Sequence, residues 1–158
     1  MDNIKLRKTN LTDINDIYNL QYNCFEFGDR WYKQALQEYI LNGFVIEYNN
    51  TIIAFILYGS FIPLVGSEYI INIDNKLYNN TVDGIVMLCV DLQYRRKGLA
   101  TLLITEYLKL NKNTSFIITR TSNTDAYNLY IKLGYELIGN IKEKYYLPLE
   151  DGCLLKIN

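Results

Sequence analysis

The strongest constraint on the fold lies in residues 84–106, where a buried-strand pattern leads into a basic turn that contains glycine. Residues 85–90 are an unbroken apolar run rich in β-branched side chains, which is typical of a strand buried on both faces. After the turn, apolar residues recur at intervals of three and four, at Leu99, Leu102, Leu103, Tyr107 and Leu110. This spacing predicts a helix that begins near Gly98.

A basic turn at the start of a helix is suited to bind an anion. The first turn of a helix has free backbone N–H groups and a partial positive charge. Gly98 permits close approach to the backbone, and the basic residues 95–97 add positive charge beside it. The turn therefore predicts a phosphate site, and a pyrophosphate in particular, with a solvated turn that binds nothing as the alternative. The motifs Gly-x-x-x-x-Gly-Lys-Ser/Thr and Gly-x-Gly-x-x-Gly are both absent from the sequence.

Composition excludes several classes of protein. The chain has 158 residues, of which 49% are hydrophobic, so we expect a single domain over residues 1–158. A net charge of −1 argues against a broad surface for nucleic acid or anionic membrane. The sequence has no histidine, which rules out Ser-His-Asp and Cys-His sites and His-ligated zinc. We expect no metal site.

Cysteine usage and the start of the chain suggest a location. Cys24, Cys89 and Cys153 are odd in number and far apart, which favours free thiols in a reducing compartment. The chain opens without a signal pattern, and no apolar run approaches the length of a membrane span. We therefore expect a cytoplasmic protein that does not enter the membrane.

The remaining pattern predicts the order of the elements. Strands are expected at residues 4–8, 44–48, 52–61, 85–90, 115–120, 135–138 and 153–157, with an Asn49-Asn50 hairpin turn. Residues 62–83 predict a loop with at most one further strand, at 69–73. Helices are expected after a cap at Asn10 or Thr12, over 30–41 between Asp29 and Gly43, after Gly98, and between Asn123 and Gly134. The fold class is therefore α+β, with a mixed, mostly antiparallel sheet of about six or seven strands and helices on both faces.

Two motifs on this framework resemble the GNAT superfamily of N-acetyltransferases. Residues 90–100, Val-Asp-Leu-Gln-Tyr-Arg-Arg-Lys-Gly-Leu-Ala, resemble its acetyl-CoA signature, and residues 122–126 with Tyr130 and 132–135 resemble its second landmark. Residues 24–32 resemble the loop between the first two helices of protein N-terminal acetyltransferases, which include the ribosomal-protein alanine acetyltransferases. Residues 144–146 and 150–152 resemble the late peptide-binding hairpin of those enzymes.

The resemblance implies that acetyl-CoA (coenzyme A) is the cofactor. Its pantetheine arm would lie along the central strand, its pyrophosphate would lie on the basic turn, and Asn123 would hold the far part of the arm or serve only as a helix cap. The cofactor-binding residues that the resemblance implies are Leu88, Cys89, Val90, Arg95, Arg96, Lys97, Gly98, Leu99, Ala100, Thr101, Asn123 and Tyr130.

The resemblance also implies direct attack of an amine on the thioester. Tyr130 matches the tyrosine that gives a proton to the leaving thiolate, and a backbone N–H near Leu88 would stabilise the oxyanion. Two positions that hold the base in some relatives are occupied by Gly84 and Ile118, which cannot accept a proton. Glu26 is the candidate base, with Asp83 or a chain of water molecules as alternatives. Cys89 is interpreted as a small buried residue rather than as an acyl acceptor.

The substrate is expected to be the N-terminal α-amine of a protein or peptide. The residues implied to form the mouth of the substrate site are Phe25, Phe27, Tyr145 and Tyr146. The alternatives are a small amine, such as a polyamine, an aminoglycoside or an amino acid, and a non-catalytic domain that binds coenzyme A as a sensor or serves as a partner subunit. The absence of a dense acidic cluster favours peptides over polycations. A monomer or a homodimer is expected.

Overall fold

The computed structural model describes residues 3–61, 70–71, 81–146 and 150–158, with the backbone alone at 70–71 and 142–146. The chain forms two compact units. The first unit comprises Met1–Gly59 and Val86–Lys112, and the second comprises Ser60–Ile85 and Asn113–Asn158.

The helices and strands follow one another in the order that the sequence predicts. In chain order they are β1 (Ile4–Lys8), α1 (Ile14–Cys24), α2 (Lys33–Tyr39), β2 (Gly43–Tyr48), β3 (Thr51–Phe61), β4 (Ile70–Ile71), β5 (Val82–Val90), α3 (Leu99–Leu110), β6 (Ser115–Arg120), α4 (Thr124–Lys132), β7 (Glu136–Tyr146) and β8 (Glu150–Ile157). The strands follow the order β1-β2-β3-β5-β6-β8-β7-β4. The pair β5–β6 is parallel, whereas β1–β2, β2–β3, β6–β8, β7–β8 and β4–β7 are antiparallel.

The predicted α+β class, with a mixed and mostly antiparallel sheet, is confirmed. In the described part of the chain the sheet has eight strands, because β4, which is only two residues long, is added to the seven that the sequence predicts. That strand lies inside the span 69–73, where the sequence predicts at most one extra strand. Of the rest of the expected loop, residues 62–69 and 72–80 lie outside the described residues, whereas residues 82 and 83 belong to β5, which begins three residues earlier than predicted.

Local signals account for the elements of the first unit that the sequence predicts well. Asn49 and Asn50 both have positive φ, 51° and 63°, as a two-residue hairpin turn between β2 and β3 requires. Asn10 caps the turn before α1, because its Oδ1 accepts from Thr12 N at 2.9 Å while Asp13 Oδ2 accepts from Asn10 N at 2.8 Å. The predicted hairpin and the predicted Asn10 cap are therefore present.

The prediction for the second helix is wrong at both ends, and at its C-terminal end α2 stops at Tyr39 rather than at residue 41. The helix α2 begins at Lys33 rather than at residue 30, and its N-cap is Tyr32, which makes no side-chain capping bond, rather than Asp29. The buried side chain of Gln21 is the reason. Gln21 Nε2 donates to the carbonyl oxygen of Trp31, and Trp31 N donates to Gln21 Oε1, at 3.0 Å each. Because both backbone groups of Trp31 are used in this way, the residue does not join a helix.

Gly43 does not end α2 but begins β2. A Cβ at this position would lie 2.5 Å from the carbonyl oxygen of Ile56 on the paired strand. Glycine is therefore required by the close approach of β3 and not by a helix terminus.

Each unit has its own apolar core. The core of the first unit comprises one face of α1 and α2 with β2, β3 and β5, through Ile17, Leu20, Leu36, Ile40, Val45, Ile52, Phe55, Leu57, Met87 and Cys89. In the second unit Ile141 and Leu154 are buried against the half-buried side chains of Phe116, Ile118 and Ile138. The strands β7 and β8 are both longer than predicted. The first continues to Tyr146, and the second already includes residues 150–152, where Gly152 pairs with Arg120.

Candidate active site

The basic turn of the first unit adopts an unusual backbone path between β5 and α3. Asp91 caps a short 3-10 turn, Leu92–Tyr94, by accepting from Gln93 N at 2.9 Å. Two residues of the basic turn then have left-handed backbone angles, Arg96 with φ 63° and Gly98 with φ 81°. Left-handed residues within such a turn gather successive N–H groups into a concavity that suits an anion.

The backbone N–H groups at the start of α3 are available to a ligand. Within the described ranges, no acceptor bonds the N–H groups of Gly98, Leu99, Ala100 or Thr101. The first backbone bond of the helix runs from Leu102 N to Gly98 O, at 3.0 Å. A Cβ built at Gly98 would meet no heavy atom within 4 Å, so the space in front of these groups is open. Free donors, open space and glycine together fit the diphosphate of acetyl-CoA.

The basic side chains of the turn are held near it while remaining exposed. Arg95 Nε donates to the carbonyl oxygen of Val90 at 3.1 Å. Lys97 Nζ lies 5.1 Å from the centre of the Tyr94 ring, within the range of a cation–π contact. All three basic residues of the turn are exposed, so their charge is accessible to an anion.

The strand β5 presents the residues that were predicted to flank the pantetheine arm. Leu88 and Val90 are half-buried, whereas Cys89 is only 2% exposed and belongs to the apolar core. The carbonyl oxygen of Val90 is already engaged, since Arg95 Nε and the Cys24 Sγ, at 3.7 Å, both approach it. A ligand pairing with β5 at this carbonyl would therefore displace or share the Arg95 bond.

The loop after α1 carries the candidate base and two of the candidate substrate residues. Phe25 is half-buried and packs against the core of the first unit, while Phe27 is 83% exposed in the short turn Phe27–Asp29. Glu26 is exposed, and its carboxylate has no hydrogen-bond or ion-pair partner in the described part of the chain. Phe25 is therefore fixed by packing, while Glu26 and Phe27 remain accessible.

In the second unit, Tyr130 is a buried phenol on α4. Its side chain is 4% exposed and its ring meets the Tyr135 ring edge-on, with 5.8 Å between centroids. The Tyr130 hydroxyl has no hydrogen-bond partner among the residues described. Burial raises the pKa of Tyr130 well above its usual value, with a smaller contribution from Tyr135. The phenol therefore remains protonated at neutral pH and is able to donate a proton.

Asn123 caps α4, as one of its two predicted roles requires. Its Oδ1 accepts from Ala126 N at 3.3 Å. Its Nδ2 has no acceptor within the described residues, so the same side chain retains a donor for a ligand. Capping and cofactor binding are therefore compatible at this position.

The positions that lack a base are explained by the strand pairing. Gly84 lies opposite Phe116 in the parallel pair of β5 and β6, and a Cβ there would lie 1.9 Å from Phe116 O. No side chain can be placed at Gly84 without separating the strands. Ile118 packs against the core of the second unit. Asp83, the weaker candidate base, accepts from the Ser60 hydroxyl at 2.5 Å.

One network of this unit was missed by sequence reasoning. Glu150 Oε1 accepts from Ser122 N at 2.5 Å and from the Thr121 hydroxyl at 3.0 Å, and Oε2 accepts from Arg120 Nη1 at 3.1 Å. Hydrogen bonds from Ser122 are the main cause that lowers the pKa of Glu150 to about 2. Glu150 thus fixes the three residues that precede Asn123. The partners are about thirty residues apart, so no local pattern could have indicated them.

Two of the predicted substrate residues are only partly described. Tyr145 and Tyr146 belong to β7, but their side chains lie outside the described residues. In the part of the chain that is described, no three residues capable of ligating a metal are grouped together. The described helices include none with the length and apolar character needed to cross a membrane.

Comparison with known proteins identifies relatives over nearly the full length. Residues 11–135 match the Acetyltransferase (GNAT) family. The chain is 27% identical over 159 residues to an N-alpha-acetyltransferase of Sulfurisphaera tokodaii, covering 96% of this chain and 90% of that protein.

Two solved structures share the fold. The ribosomal-protein-S18-alanine N-acetyltransferase of Escherichia coli has a TM-score of 0.74 at 19% identity, covering 98% of this chain and 92% of that one. Arabidopsis thaliana Naa50 in complex with the bisubstrate analogue CoA-Ac-MVNAL has a TM-score of 0.76 at 18% identity, covering 98% of each chain.

Proposed function

Because this chain belongs to the acetyltransferase (GNAT) family and is an acetyl-CoA-dependent acyltransferase, we propose that it acetylates the N-terminal α-amine of a protein or peptide. The observation that carries the cofactor assignment is the open start of α3, with unpaired N–H groups from Gly98 to Thr101 in the described structure. The substrate assignment is supported by the similarity, along 96% of this chain, to an N-alpha-acetyltransferase.

The chain's own residues divide the chemistry among them. Bound acetyl-CoA supplies the thioester whose acyl group the amine takes. The start of α3 holds the diphosphate through its N–H groups, and the exposed Arg95, Arg96 and Lys97 add positive charge. The amide nitrogen of Asn123 donates a further hydrogen bond. Tyr130 holds a proton on its buried hydroxyl and gives it to the departing thiolate.

Deprotonation of the incoming amine requires little from the protein. An α-amine has a pKa of about 7.7–8.0, so an appreciable fraction is neutral near pH 7. Glu26, exposed in the loop after α1 and without a partner among the described residues, accepts the proton directly or through water. The side chains of Phe25 and Phe27, on either side of it in sequence, contact the first residues of the peptide.

A paired acetylation screen tests this function. The purified chain is incubated with acetyl-CoA and peptides that differ in their first residue, and the products are identified by mass spectrometry. Each peptide is matched by a copy with a blocked N-terminus and a free lysine. We expect one acetyl group on the free N-terminus and none on the blocked copy. Polyamines, aminoglycosides and free amino acids form the second panel.

The outcomes separate the alternatives. Acetylation confined to the small amines would replace the peptide assignment by that of a small-molecule acetyltransferase. Binding of acetyl-CoA without transfer to any amine would indicate a sensor domain. Transfer to the lysine of the blocked peptide would move the substrate from an α-amine to a side-chain amine.

A further inference from the structure

Two of the three cysteines lie in the same apolar cluster of the first unit. Cys24 is the last residue of α1, and Cys89 lies in β5. Cys89 is a buried member of this cluster, and Cys24 is partly buried and packs against it. The third cysteine, Cys153, lies in β8 of the second unit and is a free thiol like the other two.

The contacts around the pair are reciprocal. Cys24 Sγ lies 3.7 Å from the carbonyl oxygen of Val90, which follows Cys89 on β5. Cys89 Sγ lies 4.0 Å from the carbonyl oxygen of Leu20, one helical turn before Cys24 on α1. Each sulfur therefore reaches the backbone of the other's element, and α1 and β5 approach closely at this point. Such an approach is a precondition for a disulfide.

The two thiols are unequal in a way that suits oxidation. The pKa of Cys24 is lowered from 9.0 to about 7, mainly by a hydrogen bond with Cys89. Partial burial opposes this shift, and the positive charge of Arg95 adds to it. The same bond, followed by burial, raises the pKa of Cys89. Cys24 is half-buried, whereas Cys89 is 2% exposed. Cys24 is thus the thiolate that an oxidant reaches, and Cys89 is the neighbouring thiol.

We propose that Cys24 and Cys89 are a peroxide-sensitive pair, in which oxidation joins the two sulfur atoms in an intramolecular disulfide. The Cys24 thiolate attacks one oxygen of hydrogen peroxide, the O–O bond breaks, and hydroxide leaves, which gives a sulfenic acid on Cys24. The Cys89 sulfur then attacks the Cys24 sulfur, and its proton leaves with the hydroxyl group as water. The two thiols lose two electrons in total and the peroxide gains them.

Oxidation of Cys24 also favours the second step. The main cause of the raised pKa of Cys89 is its hydrogen bond to Cys24. A Cys24 thiolate accepts the Cys89 proton in a strong hydrogen bond, whereas a neutral sulfenic acid accepts it more weakly. Cys89 therefore ionises more readily once Cys24 has reacted. A small disulfide such as oxidised glutathione reaches the same product by exchange, with a reduced thiol as the leaving group.

The disulfide has a consequence for acetyl transfer, and this part rests on the proposed function. The bond would join the end of α1 to β5, two residues before Glu26 and one before Val90. It would restrain the loop that carries the candidate base and the strand assigned to the cofactor. We expect the oxidised enzyme to lose most of its acetyl-transfer rate and to regain it with dithiothreitol.

Peptide mapping of the full chain tests the pair without relying on activity. The reduced protein is treated with graded hydrogen peroxide, the remaining thiols are alkylated, and the digest is analysed without reductant. We expect a cross-linked peptide that contains Cys24 and Cys89, with a mass lower by two hydrogen atoms, and a fully alkylated Cys153. The matched control Cys153→Ser should form the same link, whereas Cys24→Ser and Cys89→Ala should form none. Cys89→Ala retains a small apolar side chain in the core, so the variant is expected to fold.

Several results would overturn the proposal. These are a link between Cys24 and Cys153, a link between two molecules, accumulation of a sulfinic acid at Cys24 with Cys89 still alkylated, and resistance of Cys24 to peroxide. A disulfide that leaves the transfer rate unchanged would overturn the regulatory consequence. Because the mass readout requires no substrate, failure of the proposed function would not be confused with failure of this inference.

Discussion

Replacing Gly98 by alanine tests the anion-binding turn with a minimal change. Gly98 has φ 81°, and a Cβ there would contact no other atom within 4 Å. The left-handed conformation costs an alanine about 1–2 kcal/mol. Alanine also reduces the conformational entropy of the unfolded chain, and this effect offsets about 0.4–1 kcal/mol of the conformational cost. We therefore expect a net loss of about 1 kcal/mol in the free energy of unfolding, and a melting temperature lower by about 2–4 °C.

The loss in cofactor affinity should exceed the loss in stability. The added methyl group would occupy the open space in front of the N–H groups that begin α3, where the diphosphate is proposed to lie. Loss of one charge-assisted hydrogen bond is worth about 1.5–3 kcal/mol. The dissociation constant for acetyl-CoA should therefore rise roughly ten- to hundredfold. Gly98→Glu, which also brings a negative charge, should abolish binding.

Isothermal titration calorimetry with acetyl-CoA measures this effect, and scanning fluorimetry measures the stability. The matched control is Gly134→Ala, because Gly134 also has positive φ, 96°, and lies after α4, away from the basic turn in sequence. That variant should lose similar stability and retain its affinity. Unchanged affinity in Gly98→Ala, or an equal loss in Gly134→Ala, would refute the role assigned to the turn.

Three further substitutions separate the remaining assignments. Tyr130→Phe should lower kcat at least about tenfold with little change in acetyl-CoA affinity, because it removes only the donated proton; unchanged kcat in steady-state assays would exclude Tyr130. Since burial raises the pKa of Tyr130, no loss of rate below pH 10 should come from its ionisation. Glu26→Gln should lower the rate, whereas an unchanged rate would assign deprotonation to water. Gly84→Ala should lower stability by about 3 kcal/mol or more in chemical denaturation, because its Cβ would lie 1.9 Å from Phe116 O; a smaller loss would show that β5 and β6 separate easily.

Sequence reasoning succeeded where the signal is local. The basic turn, the start of α3 and the Asn49-Asn50 hairpin depend on residues within a few positions of one another, and the structure has all three. Left-handed angles at Asn49, Asn50 and Gly98 are of the kind that asparagine and glycine adopt readily. Such features are fixed by backbone sterics, so they can be read without knowledge of tertiary contacts.

Predictions failed where a distant side chain overrides a local pattern. Asp29 is a good helix cap by residue type, but Gln21, ten residues from Trp31, holds the backbone of Trp31 and delays the helix to Lys33. Gly43 resembles a helix stop, yet the constraint on it comes from Ile56 on the paired strand. Neither partner is visible in the flanking residues.

The chemistry of the candidate site shows the same division. The glycine, the basic residues and the buried tyrosine are recognisable from their motifs. The thiol pair of Cys24 and Cys89 joins residues 65 positions apart, from 89 − 24, and carries no sequence signal. The carboxylate of Glu150, which holds the turn before Asn123, is equally invisible from the sequence.

A crystal structure with acetyl-CoA bound is the most direct test of the binding site at the start of α3. We expect oxygen atoms of the diphosphate within about 3 Å of the backbone nitrogens of residues 98–101. A diphosphate bound elsewhere, with these N–H groups left to water, would contradict the cofactor site and with it the proposed mechanism.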